Sequence, residues 1–278
     1  MMRTFALPSG QSIPALGMGT WRKGESRQQR QAEVAALQRG LELGFSLIDT
    51  AEMYGEGGAE EVVAEAIAPR RSEVFLVSKV YPHNASRQGV IAACDRSLKR
   101  LNTDYLDLYL LHWRGAYPLT ETLEAFQSLQ QAGKIRDYGV SNFDVDDMEE
   151  AMAIPGGDRV ATNQILYNLS RRGVELNLLP WCAQREIPVM AYSPIEQGRL
   201  LNKPALKQVA KETGVNEAQI AIAWLLHQDN IIVIPKSSWI EHIEQNYAAL
   251  DIELSPEDLA TLNAAFPAPR NPVALQML

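Results

Sequence analysis

Short apolar runs alternate with stretches of helical period along nearly the whole chain. A turn at Ser9 and Gly10 predicts an N-terminal β-hairpin, and the first apolar run covers residues 13–21. Residues 30–43 then place Val34, Leu37 and Leu41 on one helical face, and residues 46–49 form the next strand. The alternation goes on with helix 59–68 stopped by Pro69, strand 74–79, helix 88–101, strand 106–112, helix 120–132 ended by Gly133, strand 137–142 and helix 145–153. Strand 161–166, helix 175–185, strand 189–193, helices 204–213 and 216–227, strand 231–236 and helix 240–250 follow. A last short helix starts at Ser255 as N-cap, with Pro256 in the first helical position. The 74–79 strand is apolar on both faces, as in a buried parallel sheet.

These are eight βα units, with strands ending near Trp21, Asp49, Lys79, His112, Asn142, Leu166, Ser193 and Lys236. The spacing is too irregular for a solenoid and suits an α/β fold, a single (β/α)8 TIM barrel with an N-terminal β-hairpin and extra C-terminal helices. No linker or low-complexity run divides residues 1–278, so one domain is expected. A doubly wound sheet would bring G-x-G-x-x-G after the first strand, and neither that spacing nor a phosphate-loop motif occurs.

Composition narrows the field. With 46% hydrophobic and 22% charged residues, the 278-residue chain reads as globular rather than disordered or fibrous. A net charge of −8 without a basic stripe argues against nucleic acid as a partner. The longest apolar runs fall short of the roughly 18 residues of a membrane span. Pro8, Ser9 and Gly10 stand where a signal peptide would be apolar. Cys94 and Cys182 form no C-x-x-C pair, which predicts reduced thiols in the cytoplasm. The sequons at Asn84 and Asn168 are then chance matches.

In a barrel, chemistry sits at the C-terminal ends of the strands. The polar residues there are Asp49, Lys79, His112, Ser141, Asn142, Gln164, Ser193 and Lys236, with Tyr54 just beyond Asp49. Each alone has an ordinary structural explanation; together they would point into one mouth. A tyrosine, with a pKa of about 10, is a poor acid near neutrality. A lysine beside it stabilises the phenolate and lowers that pKa, and an aspartate keeps the lysine charged. Such a phenol can protonate a developing alkoxide while His112 positions the carbonyl oxygen. No side chain donates hydride, so carbonyl reduction here needs a nicotinamide cofactor.

The segments that carry this chemistry are Gly17-Met18-Gly19-Thr20-Trp21, Asp49-Thr50-Ala51-Glu52-Met53-Tyr54-Gly55, Val77-Ser78-Lys79, Leu111-His112-Trp113, Gly139-Val140-Ser141-Asn142-Phe143, Ala191-Tyr192-Ser193-Pro194 and Ile234-Pro235-Lys236-Ser237. In this order they resemble the aldo-keto reductases over essentially the full chain. The chain is particularly similar to bacterial members that reduce methylglyoxal and other small aldehydes. The resemblance implies an NADP-dependent enzyme acting on a small-molecule carbonyl substrate, and a monomer is expected. It places the catalytic tetrad on Asp49, Tyr54, Lys79 and His112, with Tyr54 as proton donor. Ser141, Asn142 and Gln164 match positions that bind the nicotinamide carboxamide. Tyr192 matches the aromatic that stacks on the ring, and Ser193 and Ile195 match neighbouring cofactor contacts.

Lys236 and Ser237 match the positions that meet the adenosine 2′-phosphate, favouring NADP(H), with NAD(H) as a weaker alternative. His242 stands where many NADP-preferring relatives have arginine, and Gln245 precedes Asn246, the adenine contact, where several have glutamate. Glu196 departs from the neutral residue common at its loop; it is an anion near the pyrophosphate path or a solvent-facing charge. Trp21 and Trp113 match substrate positions, Met53 and Phe143 are further pocket candidates, and Arg114 is a candidate for attracting an anionic substrate. The short segments 113–119 and 267–278 imply few lid residues, an open site and small substrates.

Other readings are weaker. A nicotinamide-binding regulatory subunit with incidental turnover shares the barrel, as in potassium-channel β-subunits, but no extra partner-binding segment is visible. A metal-dependent hydrolase needs several ligands at strand ends, where His112 is the single histidine. A Schiff-base aldolase using Lys79 would not call for the tyrosine or the cofactor-like residues. The Tyr-x-x-x-Lys of short-chain reductases does not occur.

Overall fold

The first apolar run divides in two in the computed structural model, which describes residues 2–278. Its start, β2 (Ser12–Pro14), turns back on β1 (Thr4–Ala6) as an antiparallel hairpin, and its middle, β3 (Gly17–Gly19), is the first strand of a parallel sheet. The sheet continues through β4 (Leu47–Asp49), β5 (Phe75–Val80), β6 (Leu106–Leu111), β7 (Ile135–Ser141), β8 (Val160–Leu166), β9 (Val189–Tyr192) and β10 (Ile231–Val233). Sequence neighbours pair throughout, and bridges from Leu16 to Val233 and from Gly19 to Lys236 close the ring. This is the expected eight-stranded barrel.

Strand parity builds two layers. Phe75, Val77, Leu108 and Leu110 point to the barrel axis, while Leu76, Val80, Tyr109 and Leu111 point outward under the helices. Leu7 and Ile13 of the hairpin join the axial cluster, and the Ser9 N–H donates to Asp137 at 3.0 Å. The hairpin therefore stoppers the N-terminal end and leaves the strand C-termini as the open mouth.

The helices are α1 (Arg30–Leu43), α2 (Gly58–Ile67), α3 (Arg87–Leu101), α4 (Leu119–Gln131), α5 (Val145–Ala153), α6 (Leu178–Ala183), α7 (Pro204–Thr213), α8 (Glu217–Leu226), α9 (Ile240–Ala248) and α10 (Pro256–Ala265). Ser255 caps α10 with Pro256 in its first turn, as its sequence implies. The expected helix 175–185 is broken. A 3-10 turn, Gly173–Leu176, is followed by Asn177, which caps the short α6 with its side chain. Pro180 has no N–H, so a helix can carry it only in its first turn, and the chain restarts just before it. Cys94 and Cys182 are free and buried, and burial first of all pushes both thiols up to about 12. Among the described residues no helix is long and apolar enough to cross a membrane.

Candidate active site

Leu47 and Val77 face the barrel axis, so two residues further on Asp49 and Lys79 do the same, at the mouth. Lys79 is fully buried, and its ammonium uses all three donors: to Asp49 Oδ2 at 2.7 Å, to the Thr50 carbonyl at 2.8 Å and to Tyr54 Oη at 3.3 Å. Asp49 Oδ1 accepts from Gln164 Nε2 at 2.8 Å, which ties the two sides of the mouth together. Tyr54 arrives on the loop after β4. Glu52 anchors that loop by accepting from the Tyr81 N–H and Asn84 Nδ2, both at 2.9 Å, and by pairing with Arg96. His112 follows β6, its ring 5.6 Å from that of Tyr54.

Burial raises the Tyr54 pKa above that of an ordinary phenol; Lys79 opposes the rise and Asp49 adds to it. The expected net lowering by lysine is thus reversed in this structure: the water-poor surroundings outweigh the ammonium. Burial also works against the charge of Lys79, but Asp49 and Tyr54 together outweigh it and hold Lys79 above the usual lysine value. His112 is pushed down to about 2 by burial and by Lys79, so its ring is neutral at any working pH. Its Nδ1 is buried without a partner.

A cleft of about 580 Å³ opens above this group. Trp21, Met53, Tyr54, His112, Trp113, Ser141, Asn142, Gln164, Tyr192, Ser193, Ile195 and Lys236 line it. On the floor, Ser141 Oγ donates to the Gln164 carbonyl at 2.8 Å, Asn142 Nδ2 donates to Ser141 Oγ at 3.1 Å, and the Tyr192 hydroxyl donates to Asn142 Oδ1 at 2.9 Å. Asn142 and Ser193 sit at φ +59° and +52°, a left-handed conformation that asparagine tolerates and that costs about 1–2 kcal/mol for a residue such as serine. Such strain at strand ends is the kind that clusters at binding sites.

Ser237, His242, Gln245 and Asn246 do not line the cleft. Ser237 is buried in the loop before α9, where its Oγ accepts from the Trp239 N–H at 3.0 Å. His242 is exposed on α9, Gln245 half-buried and Asn246 buried. Several expectations are corrected. Phe143 is fully buried in the outer core and contributes no pocket wall. Arg114 is paired with Asp147 and Glu150, which consumes the charge expected to attract substrate. Glu196 is neither solvent-facing nor free: it is 4% exposed and accepts from Asn168, Arg171 and Arg199. The short C-terminal segment still reaches the site, because Met277 and Leu278 line the cleft.

Sequence reasoning missed Lys23, Glu52 and the role of Glu196. Glu52 lies inside a quoted motif yet acts from behind it. Lys23 sits in a polar loop with no period to mark it as buried.

A (β/α)8 barrel with a Tyr–Lys–Asp–His group at the strand C-termini, beside an amide-lined cleft, defines a class of barrel oxidoreductases. The chain belongs to the aldo/keto reductase family, whose model matches residues 15–266. It is 53% identical over 272 residues to methylglyoxal reductase YeaE of Escherichia coli strain K12, covering 96% of each chain. Two solved structures of an aldo/keto reductase from Klebsiella pneumoniae, one with NADP and acetate and one with NADPH, superpose with a TM-score of 0.97. Both are 48% identical to this chain, with 100% of each chain covered.

Proposed function

We propose that this protein reduces small aldehydes and 2-oxoaldehydes of the methylglyoxal type to alcohols, using NADPH. The observation that carries the reading is Lys79, whose one buried ammonium touches both Asp49 and Tyr54 on the floor of the cleft. The relative named for methylglyoxal reduction and the neighbours holding NADP and NADPH support it.

The donor set fits the cofactor. Ser141, Asn142 and Gln164 offer neutral donors and acceptors for a carboxamide, Tyr192 a half-exposed ring for the nicotinamide, and Ser193 and Ile195 the adjoining wall. Lys236 is exposed at the cleft edge for the 2′-phosphate, with Ser237 beside it and His242, Gln245 and Asn246 on α9 beyond. The cleft volume suits a nicotinamide end plus a small carbonyl compound between Trp21 and Trp113.

When bound, NADPH supplies the hydride that the carbonyl carbon accepts. Tyr54 gives its phenolic proton to the oxygen, completing the alcohol. Its raised pKa keeps that proton loaded, and Lys79 stabilises the phenolate left behind. His112, always neutral, can offer an N–H to hold the carbonyl oxygen without competing as an acid. Asp49 keeps Lys79 charged. The reading places a monomer in the cytoplasm, in keeping with two free, buried thiols.

The test is NADPH consumption with methylglyoxal under multiple-turnover conditions. Sustained oxidation is expected. Tight NADPH binding without turnover over a panel of small aldehydes would overturn it in favour of a regulatory barrel.

A further inference from the structure

Two lysines are fully buried in this protein, and they are treated differently. Lys79 has its carboxylate in Asp49. Lys23 has none: among the described residues no carboxylate oxygen lies within 4.0 Å of its Nζ. It donates instead to the Ser237 carbonyl at 2.7 Å and to Ser238 Oγ at 3.2 Å. A buried cation without an ion pair is costly, and the cost falls when an anion completes its surroundings.

The anion's place follows from the loop that Lys23 holds. Residues 236–238 form the turn between β10 and α9, with Lys236 exposed at the cleft edge. The bridge between Gly19 and Lys236 brings this turn against the loop after β3. That loop is itself seated rigidly. The Gly24 N–H donates to Glu33 at 2.9 Å, and at φ +73° a Cβ on Gly24 would lie 2.1 Å from the Gly58 carbonyl carbon.

We propose that Lys23 is a positioning residue for the 2′-phosphate of NADPH: it ties down the 236–238 loop and adds its charge to that of Lys236, so that the site selects NADPH over NADH. This rests on the NADPH reading above. A 2′-phosphate carries about −2 charges near neutral pH, which suits two neighbouring cations that otherwise repel. NADH lacks that group and gains nothing from the second cation.

Burial first and Lys236 second pull Lys23 down to about 8, with Glu33 opposing. The charged groups acting on this pair are Glu33 from α1 and Arg22 and Glu25 from the Lys23 loop. As pH rises from 7 to 9 the Lys23 ammonium is lost, and NADPH affinity should fall with it.

The experiment is calorimetric binding of NADPH and of NADH to wild type and Lys23→Met, at pH 7 and pH 9, with melting checked in parallel. Methionine keeps length and burial while removing charge and donor. The NADPH Kd at pH 7 should rise at least fivefold while the NADH Kd stays within twofold. The fall in NADPH affinity between pH 7 and 9 should shrink in the variant, because Lys236, Arg22, Glu33 and Glu25 are retained. Parallel changes in both cofactors, or none, would overturn the proposal. If Lys23→Met does not fold, Lys23→Gln, which keeps a donor but no charge, takes the same comparison under the same criteria. A wild type that binds NADPH no better than NADH would instead sink the cofactor reading itself.

Discussion

Lys79 Nζ lies 3.3 Å from the Tyr54 hydroxyl, and the same ammonium lies 2.7 Å from Asp49. The phenol is therefore coupled to a buried charge whose presence depends on a third residue. Removing only the hydroxyl tests its place in the reaction. Tyr54→Phe keeps the ring against His112 but has no proton to give. Methylglyoxal reduction should fall by about 10²–10⁴-fold, the usual scale of general acid catalysis, with the NADPH Kd within twofold. Steady-state rates and calorimetry on the two proteins check this; a variant retaining a tenth of the activity would remove Tyr54 as the donor.

The pH profile follows from the directions of the shifts. Tyr54 is raised above 10.0, so the acid form persists through the neutral range and beyond. His112, near 2, does not titrate there. At saturating NADPH, kcat for reduction should be flat from pH 6 to 9 and should decline only at higher pH. An inflection near 6.5 would mean that His112, not Tyr54, carries the proton.

Asp49→Asn tests the counter-charge. The folded pKa of Lys79 lies above its unfolded value, so while Asp49 is ionised the lysine's contribution to stability is fully present below the ordinary lysine pKa. It is lost as pH rises through the folded value. Breaking a buried pair by removing one partner costs about 3–5 kcal/mol. The urea midpoint at pH 7 should drop accordingly, and activity should fall with it. An unchanged midpoint would show that Lys79 does not need the aspartate.

Asp49, Lys79 and His112 were legible because each ends an apolar run whose parity aims it at the axis. Tyr54 was legible through its fixed place in a motif after Asp49. What escaped depends on contacts between distant loops. Lys23 looks like a solvated charge in sequence, and its burial comes from residues more than two hundred positions away. Phe143 follows Asn142, whose left-handed φ turns the chain toward α5 and sends the ring into the core. Helix 175–185 had the right apolar period, but Pro180 imposed a new start that periodicity does not register. The phenol's raised pKa was hidden because lysine proximity is visible in a motif and desolvation is not.

Trp113 stands on the cleft wall with its ring 4.8 Å from that of His112. Trp113→Ala should open the space beside the carbonyl site. KM for methylglyoxal should rise about tenfold with a smaller change in kcat, while a bulky aromatic aldehyde should improve relative to it. Rates on both substrates decide the matter; an unchanged ratio would place substrate elsewhere in the cleft.

Glu196 gathers Arg171, Arg199 and Asn168 on one carboxylate behind the Tyr192 loop. Burial opposes its ionisation, but the hydrogen bonds from Arg171, Asn168 and Arg199 outweigh burial and hold it below 4.5. A depressed folded pKa means stability that is present above the ordinary glutamate value and lost as pH falls through the folded one. Glu196→Gln should therefore melt below wild type at pH 7, and the gap should narrow as pH is lowered toward 4. Because Asn168 also donates to the Ser193 carbonyl, loosening this hub should raise the NADPH Kd by a few-fold with little change in kcat. Melting curves at both pH values and a cofactor titration test the two halves separately. A variant that melts with wild type at pH 7 would reduce Glu196 to a bystander of its arginines.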